Sequence, residues 1–243
     1  RFFSDTIDEN DRIIYMNDED STQIAQVLRM RKGDKAIICD KNGHDYLCEL
    51  SSLENKNAIE FGILDKKDNL AEPDVEITLF QAVPKNDKLD FIVQKATELG
   101  AVRIVPFLSK RCVSRPDAKS ADKKEQRLQR IAYAASKQCG RGRLPEVAAV
   151  VPVAQAIAQA AESETALFFY ENEKRTGLHD ALAGGVRDTV SLMVGPEGGF
   201  DPAEAKAAVD AGLQSVSLGT RILRCETAPI AALAAVLYAG GNM

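Results

Sequence analysis

Residues 192–200 read LMVGPEGGF: an apolar run that ends abruptly in Gly195, Pro196, Glu197, Gly198 and Gly199. Three glycines in five positions make positive φ angles cheap and leave room for another group to approach the backbone. The chain continues FDPAEAKAAV. There Asp201 suits an N-cap, Pro202 the first helical position and Glu204 the third residue of a capping box. The stretch therefore predicts a strand that passes through a glycine loop onto a helix start, where backbone N–H groups can receive a polar or anionic ligand. A plain tight turn needs one glycine; three favour a ligand loop.

The same strand-then-helix grammar extends outward on both sides. VEITLFQAV (75–83), VRIVPF (102–107), TALFFY (165–170), TVSLMV (189–194) and SVSLG (215–219) read as buried strands. NDKLDFIVQKATELG (86–100) carries apolar Leu89, Ile92, Val93, Ala96 and Leu99 at helical spacing and closes on Gly100. SADKKEQRLQRIAYAASKQCG (120–140) reads as a long helix. Strands alternating with helices predict an α/β domain with a mainly parallel sheet over 73–243. Residues 1–70 differ: DKAIICD, DYLCEL and NAIEFGIL are short strands, Asn42-Gly43 is a hairpin signal, and DSTQIAQVLRM is one short helix. That pattern predicts a small β-barrel. The polar, apolar-poor stretch 65–74, DKKDNLAEPD, reads as the linker.

Three strand ends of the α/β domain open into polar or glycine-bearing loops, and ligands of open α/β sheets sit beyond such ends. One leads to Tyr170 and Glu171, one to the glycine loop, and one into LGTRILRCETAPIAAL (218–233). In the last, Gly219 turns the chain, Arg221 and Arg224 flank the apolar pair Ile222-Leu223, and Glu226-Thr227 opens a helix. Apolar side chains beside free backbone groups suit an adenine ring, Thr227 and nearby N–H groups suit polar ligand atoms, and Arg224 is a cation for a phosphate or an enolate-like oxygen. Ion pairing of Arg221 and Arg224 with Glu197 or Glu226 is the competing, purely structural reading. Neither G-x-x-x-x-G-K-[ST] nor a post-strand G-x-G-x-x-G occurs, which disfavours a P-loop enzyme or a common dinucleotide dehydrogenase.

Composition narrows the class. No apolar run approaches the roughly 18 residues of a membrane span, and the five cysteines form no C-x-x-C while only two histidines occur. The expectation is a reduced, cytoplasmic protein with no metal site and no disulfide framework. The net charge is −5, yet residues 84–143 hold 15 of the 31 Lys and Arg against 6 of the 36 Asp and Glu, a local balance of +9. That segment predicts a polyanion-binding face, or else a solvated helix surface.

LMVGPEGGF with LGTRILRCETA about twenty residues on resembles the methyltransferases of the SPOUT class. QKATELGAVRIVPFLSKRC and SKQCGRGRLPEV narrow the likeness to the ribosomal RNA small subunit methyltransferase E family, and RFF with AQVLRMRKGD matches its N-terminal PUA-like barrel. Cys225, where a threonine is more usual, and the added Pro229 are the departures. The resemblance implies a PUA-like RNA-binding β-barrel at 1–70 and a SPOUT domain with a deep trefoil knot at 73–243. It implies S-adenosylmethionine as cofactor and methylation of N3 of a uridine in bacterial 16S ribosomal RNA of the small subunit. It also implies homodimers, with the last helix supplying interface.

On the same resemblance, Tyr170, Glu171, Gly195, Pro196, Glu197, Gly198, Gly199, Leu218, Gly219, Ile222, Leu223, Arg224, Thr227 and Ala228 would wrap the cofactor. Arg1, Arg29, Lys110, Arg111, Arg115, Arg141 and Arg143 would meet RNA. Methylation needs N3 to lose its proton and the anion over O2 and O4 to be stabilised. Arg224 and Arg1 are the candidate cations, Glu197 and Glu226 the candidate bases. Two alternatives remain at this level: a non-catalytic RNA-binding ribosome assembly factor, and a small-molecule enzyme that uses the glycine loop for a phosphate.

Overall fold

The computed structural model describes residues 1–53, 59–114 and 118–243, apart from the side chains of 118–121. The chain divides into two compact units, Arg1–Glu72 with Ser136–Leu144, and Pro73–Ala135 with Pro145–Met243. Residues 136–144, which the sequence assigned to the second domain, thus group with the first.

Unit 1 contains β1 (Phe2–Phe3), β2 (Thr6–Asp8), β3 (Ile13–Tyr15), α1 (Asp18–Thr22), β4 (Lys35–Cys39), β5 (His44–Ser52) and β6 (Glu60–Asp68). Its sheet runs β1-β4-β5-β6-β3-β2, antiparallel except for the β1/β4 pair. Tyr46, Cys48 and Leu50 point alternately inward from β5 onto Ile14, Ile24, Ile38 and Phe61. Register shifts at Leu47/Cys48 and Leu50/Ser52 bend the longest strand pair, as bulges do. The expected turn forms with Gly43 at φ 99°, and the Asp40 carboxylate accepts the N–H groups of Asn42 and His44 at 2.8 and 3.1 Å.

Two expectations shift in this unit. The short helix starts two residues early, because Asn17 caps the Asp20 N–H at 2.8 Å, and it widens into a π-turn over Gln23–Val27. The linker reading of 65–74 fails over its first half: Asp65–Asp68 are strand residues paired with Leu47–His44. A strand end exposed on both faces needs no apolar alternation, so its composition mimics a linker.

The segment 136–144 is stitched to unit 1 by a buried charge pair. Arg141, 2% exposed, donates from Nη2 to Glu72 at 2.7 Å, and the same carboxylate accepts the N–H groups of Gly142 and Arg143 at 2.9 Å each.

Unit 2 contains β7 (Glu76–Ala82), α2 (Lys88–Glu98), β8 (Arg103–Leu108), α3 (Ala118–Cys139, its last turn in unit 1), β9 (Glu146–Val147), β10 (Val151–Pro152), α4 (Val153–Ala160), β11 (Thr165–Phe169), α5 (Leu178–Ala181), β12 (Thr189–Val194), α6 (Pro202–Asp210), β13 (Gln214–Val216) and α7 (Thr227–Ala239). The sheet order is β10-β8-β7-β12-β11-β13, every pair parallel, with β9 added beside β8. Successive residues enter opposite cores. Leu79, Ile104, Leu167, Leu192 and Val194 pack against α2, α3, α5 and α7, whereas Phe80, Val105, Phe168 and Met193 pack against α4 and α6. Burial on both faces explains why these strands read as continuous apolar runs. The Asp201–Glu204 capping box forms as the sequence predicts.

Replacing Glu72 by Ala would take a carboxylate partner from the buried Arg141 guanidinium and from two backbone donors. We expect a loss of about 1–3 kcal/mol, read as a lower denaturant midpoint for unit 1. An unchanged midpoint would show that the pair contributes nothing net.

Candidate functional site

β11, β12 and β13 are parallel neighbours in register, with Phe169 beside both Val194 and Val216. Their last residues therefore lie side by side, and the three loops that follow enclose one cavity of about 440 Å³. Of the sequence-predicted cofactor residues, Tyr170, Glu171, Gly195–Gly199, Leu218, Gly219, Ile222, Leu223, Arg224 and Ala228 line it. Thr227 does not: its N–H closes the first turn of α7 on the Arg224 carbonyl at 2.9 Å, and its side chain is exposed. The reading missed Phe169, Val194, Val216 and Ser217. The first three are strand-end residues, which the strand assignments could have supplied. Behind the lining, Gln81 is a buried amide on β7 that donates from Nε2 to the Ala82 carbonyl at 3.0 Å and toward the Gly195 carbonyl at 3.5 Å.

The glycines work differently from the expectation that they leave room for a ligand. A Cβ at Gly195 would stand 2.9 Å from the Phe200 ring, and one at Gly198 would stand 3.3 Å from Arg111 Cβ. Gly199 adopts φ +65°, and a Cβ there would collide with the Glu171 carboxylate. Each glycine thus admits a group of the protein itself. The loop is further fixed by a turn from the Gly199 N–H to the Pro196 carbonyl at 2.9 Å and by Arg111 Nη1 on the Gly198 carbonyl at 3.0 Å. The third loop is open by contrast. Ile222 is 82% exposed, and among the described residues its backbone and that of Leu223 have no hydrogen-bond partner.

The charges of the site are sorted by Lys88, at the start of α2. Its ammonium lies 3.1 Å from Glu197 Oε1 and 3.1 Å from Glu226 Oε2. Burial pushes the Glu197 carboxyl up, but its own N–H, the Lys85 N–H, Lys88 and the Cys225 thiol outweigh this, and the carboxyl titrates below its ordinary range. The same balance, with the Cys225 thiol, its own N–H and Lys88 opposing burial, lowers Glu226. Burial first, and then its hydrogen bond to Glu226, pushes the Cys225 thiol up to about 12. A thiol so raised is a poor nucleophile. Arg221 and Arg224 are exposed and have no ion partner among the described residues. The carboxylates that could have neutralised them are taken by Lys88.

The basic residues predicted to meet RNA separate into kinds. Arg141 is buried against Glu72, so its RNA assignment is corrected: a guanidinium sealed in an ion pair has no face for phosphate. Arg1 is held by Asp45 at 2.7 and 2.8 Å within unit 1, and its charge serves that pair. Lys110 is exposed yet pairs with Asp201 at 2.9 Å and caps Glu204 with its N–H at 2.7 Å. Arg29, Arg111 and Arg143 are exposed. Arg115 lies outside the described residues. Much of the +9 segment is likewise consumed in ion pairs, including Lys95–Glu98, Arg103–Glu146 and Arg127–Asp90. Among the described residues there is no cluster of three or more metal-ligating side chains, and no helix is long and apolar enough to cross a membrane.

Residues 71–237 match the family model of the RNA methyltransferase domain, and residues 17–64 that of the RNA methyltransferase PUA domain. Ribosomal RNA small subunit methyltransferase E of Bacillus subtilis (strain 168) is 33% identical over 225 residues, spanning 90% of this chain and 88% of that protein. The Synechocystis relative of the same name is 33% identical over 215 residues, 88% of this chain and 69% of that one. The structure of ribosomal RNA small subunit methyltransferase E from Neisseria gonorrhoeae bound to S-adenosyl methionine superposes with a TM-score of 0.85 at 33% identity, covering 98% and 96% of the two chains. A Legionella pneumophila protein solved "in complex with the bound cofactor SAM" superposes with 0.87 at 26% identity, also over 98% and 96%.

The loop geometry yields a double-mutant test. Gly199→Ala should destabilise unit 2 by about 2 kcal/mol or more, through the αL backbone and the Glu171 collision together. Adding Glu171→Ala should return the part due to collision and leave about 1 kcal/mol of backbone strain. Strictly additive losses in thermal unfolding would remove Glu171 from contact with the loop.

Proposed function

This chain belongs to the ribosomal RNA small subunit methyltransferase E family, and on that premise we propose that it methylates N3 of a uridine in 16S ribosomal RNA with S-adenosylmethionine. The observation that carries the reading is the cavity at the ends of β11, β12 and β13, walled by the glycine loop on one side and an arginine-bearing loop on the other. Its volume suits a nucleoside-sized ligand. Phe169, Val194, Leu218, Ile222 and Leu223 offer apolar surface, and the unpartnered backbone groups of Ile222 and Leu223 can pair with a ring edge. These residues, with the backbone of Gly195–Gly199, would hold the cofactor, which supplies an electrophilic methyl on a sulfonium centre.

The chain's own part is to bind, align and compensate charge. Arg224 lines the cavity, exposed and unpaired with any described carboxylate, so its guanidinium is available to the anion that spreads over O2 and O4 when N3 loses its proton. Glu197 and Glu226 are engaged by Lys88 and lowered, which makes them weak bases. On this reading solvent, rather than either carboxylate, takes the N3 proton. Arg29, Arg111, Arg143 and the exposed Lys123 and Arg130 of α3 provide phosphate-binding charge.

A homodimer fits α7. Ala232, Leu233, Val236 and Leu237 are buried in unit 2, while Ile230, Ala231 and Ala234 on its other side are only partly covered and Tyr238 is 77% exposed. A helix apolar all round wants a second partner. The five free thiols and a ribosomal RNA substrate support a cytoplasmic place of work.

Single-turnover methylation of 16S ribosomal RNA or small subunits, with the modified base mapped, tests the reading. Arg224→Ala should lower the saturated rate by about 10²–10³ and leave the affinity for S-adenosylhomocysteine near wild type. A normal saturated rate would end the assignment of Arg224. Absence of S-adenosylhomocysteine binding by the wild-type protein in calorimetry would favour the assembly-factor alternative.

The pH dependence separates the roles of the carboxylates. Because their folded pKa values are lowered, Glu197 and Glu226 contribute to the site above the ordinary carboxyl range, and that contribution is lost only as the pH falls below about 4. The saturated rate should rise with pH through neutrality with no carboxyl ionisation between about 5 and 8. An acid limb in that window that vanishes in Glu226→Gln would restore Glu226 as the base.

A further inference from the structure

The glycine loop and the arginine-bearing loop arrive from different strands, and among the described residues no backbone hydrogen bond ties them together. Side chains do: the Cys225 thiol of the second loop reaches Glu197 of the first, and Lys88 supplies the charge between them. Lys88 reaches Glu197 of the first loop and Glu226 of the second, both at 3.1 Å, and lies 3.6 Å from Cys225 Sγ. An ammonium has three N–H donors, and here it faces three acceptors. Cys225 completes the ring by donating its thiol proton to Glu226 Oε2 at 3.2 Å. From the same turn of chain, the Lys85 N–H donates to Glu197 Oε1 at 3.1 Å.

We infer that Lys88 is a positioning residue: its ammonium clips two like-charged carboxylates together and so holds the two loops of the site in register. Glu197 and Cys225 line the cavity, whereas Lys88 and Glu226 stand outside its lining. Lys88 therefore acts through the walls and touches no reacting atom. Without it, two carboxylates would face each other uncompensated and push the loops apart. The affinity of the site for its cofactor would then fall by the fraction of molecules in which the loops remain together. This deepens the methyltransferase reading, on which its consequence for the cofactor rests; the clip itself is a property of the free protein.

The test compares wild type with Lys88→Met, Lys88→Arg and the double variant Lys88→Met with Glu226→Gln. Amide hydrogen exchange without ligand reports the loops, and calorimetry with S-adenosylhomocysteine reports the site. Lys88→Met should speed exchange over 195–200 and 219–227 about tenfold and weaken S-adenosylhomocysteine by a similar factor, with exchange in the β11 and β12 strands unchanged. Lys88→Arg should keep most of both, because a guanidinium can also bridge two carboxylates. Removing the second charge with Glu226→Gln should recover part of the loss. The inference is overturned if Lys88→Met leaves exchange in both loops at the wild-type rate, or if Glu226→Gln gives no recovery. Failure of the wild-type protein to bind S-adenosylhomocysteine would overturn the function and leave the exchange result to judge the clip.

Discussion

The architecture of unit 2 follows from one constraint: its parallel sheet is buried on both faces. Leu79 and Phe80, Ile104 and Val105, Leu192 and Met193 each send adjacent side chains into opposite apolar cores. Polar side chains are few along such strands, Gln81 and Ser191 aside, and most polar chemistry is displaced to their ends. Because β12, β11 and β13 are neighbours in parallel, their ends coincide, and loops that are distant in sequence become walls of one cavity. The site is thus a by-product of strand order, furnished by whatever residues follow Phe169, Val194 and Val216.

That dependence explains what could be read in advance. The helices and strands of unit 2 announce themselves because double-sided burial demands long apolar runs and caps, as in LMVGPEGGF followed by Asp201-Pro202. The loop residues of the cavity were legible for the same reason: each follows such a run. What could not be read is pairing. Nothing in the spacing of Lys88, Glu197 and Glu226 shows that one ammonium meets both carboxylates, since they lie on three elements whose adjacency is set by tertiary structure. Arg141 was opaque for the same cause: a basic residue in a basic segment reads as surface until Glu72 is seen beside it. Short elements such as Val151–Pro152 carry too few residues for any period to register.

Formal charge counts overstate a binding face. The segment 84–143 is strongly basic by composition, yet Lys88, Arg103, Lys110, Arg127 and Arg141 each have a carboxylate partner. The exposed cations among them, Lys110 and Arg127, hold little energy in their pairs and can exchange a carboxylate for a phosphate at small cost. Arg141 cannot, because it is itself buried and its Glu72 carboxylate also holds the Gly142 and Arg143 N–H groups. The useful measure of a polyanion face is the set of cations whose present partner is weak, with Arg111 on a backbone carbonyl the clearest case.

The glycine loop joins these arguments. Its three glycines make room for Phe200, Arg111 and Glu171, so the loop is shaped by the protein before any ligand arrives. Phe200 anchors it to the core face that holds Phe107 and Phe168, Arg111 ties it to the segment after β8, and Glu197 ties it to Lys88. A loop fixed at three points presents its backbone in one arrangement, and a ligand that fits has little ordering left to do. The 219–225 loop has fewer such ties, exposing Ile222, Arg221 and Arg224. One wall of the site is therefore built in advance, while the tip of the other, held at its base by Lys88 and carrying arginines that no described carboxylate pairs, is left to be shaped by what binds.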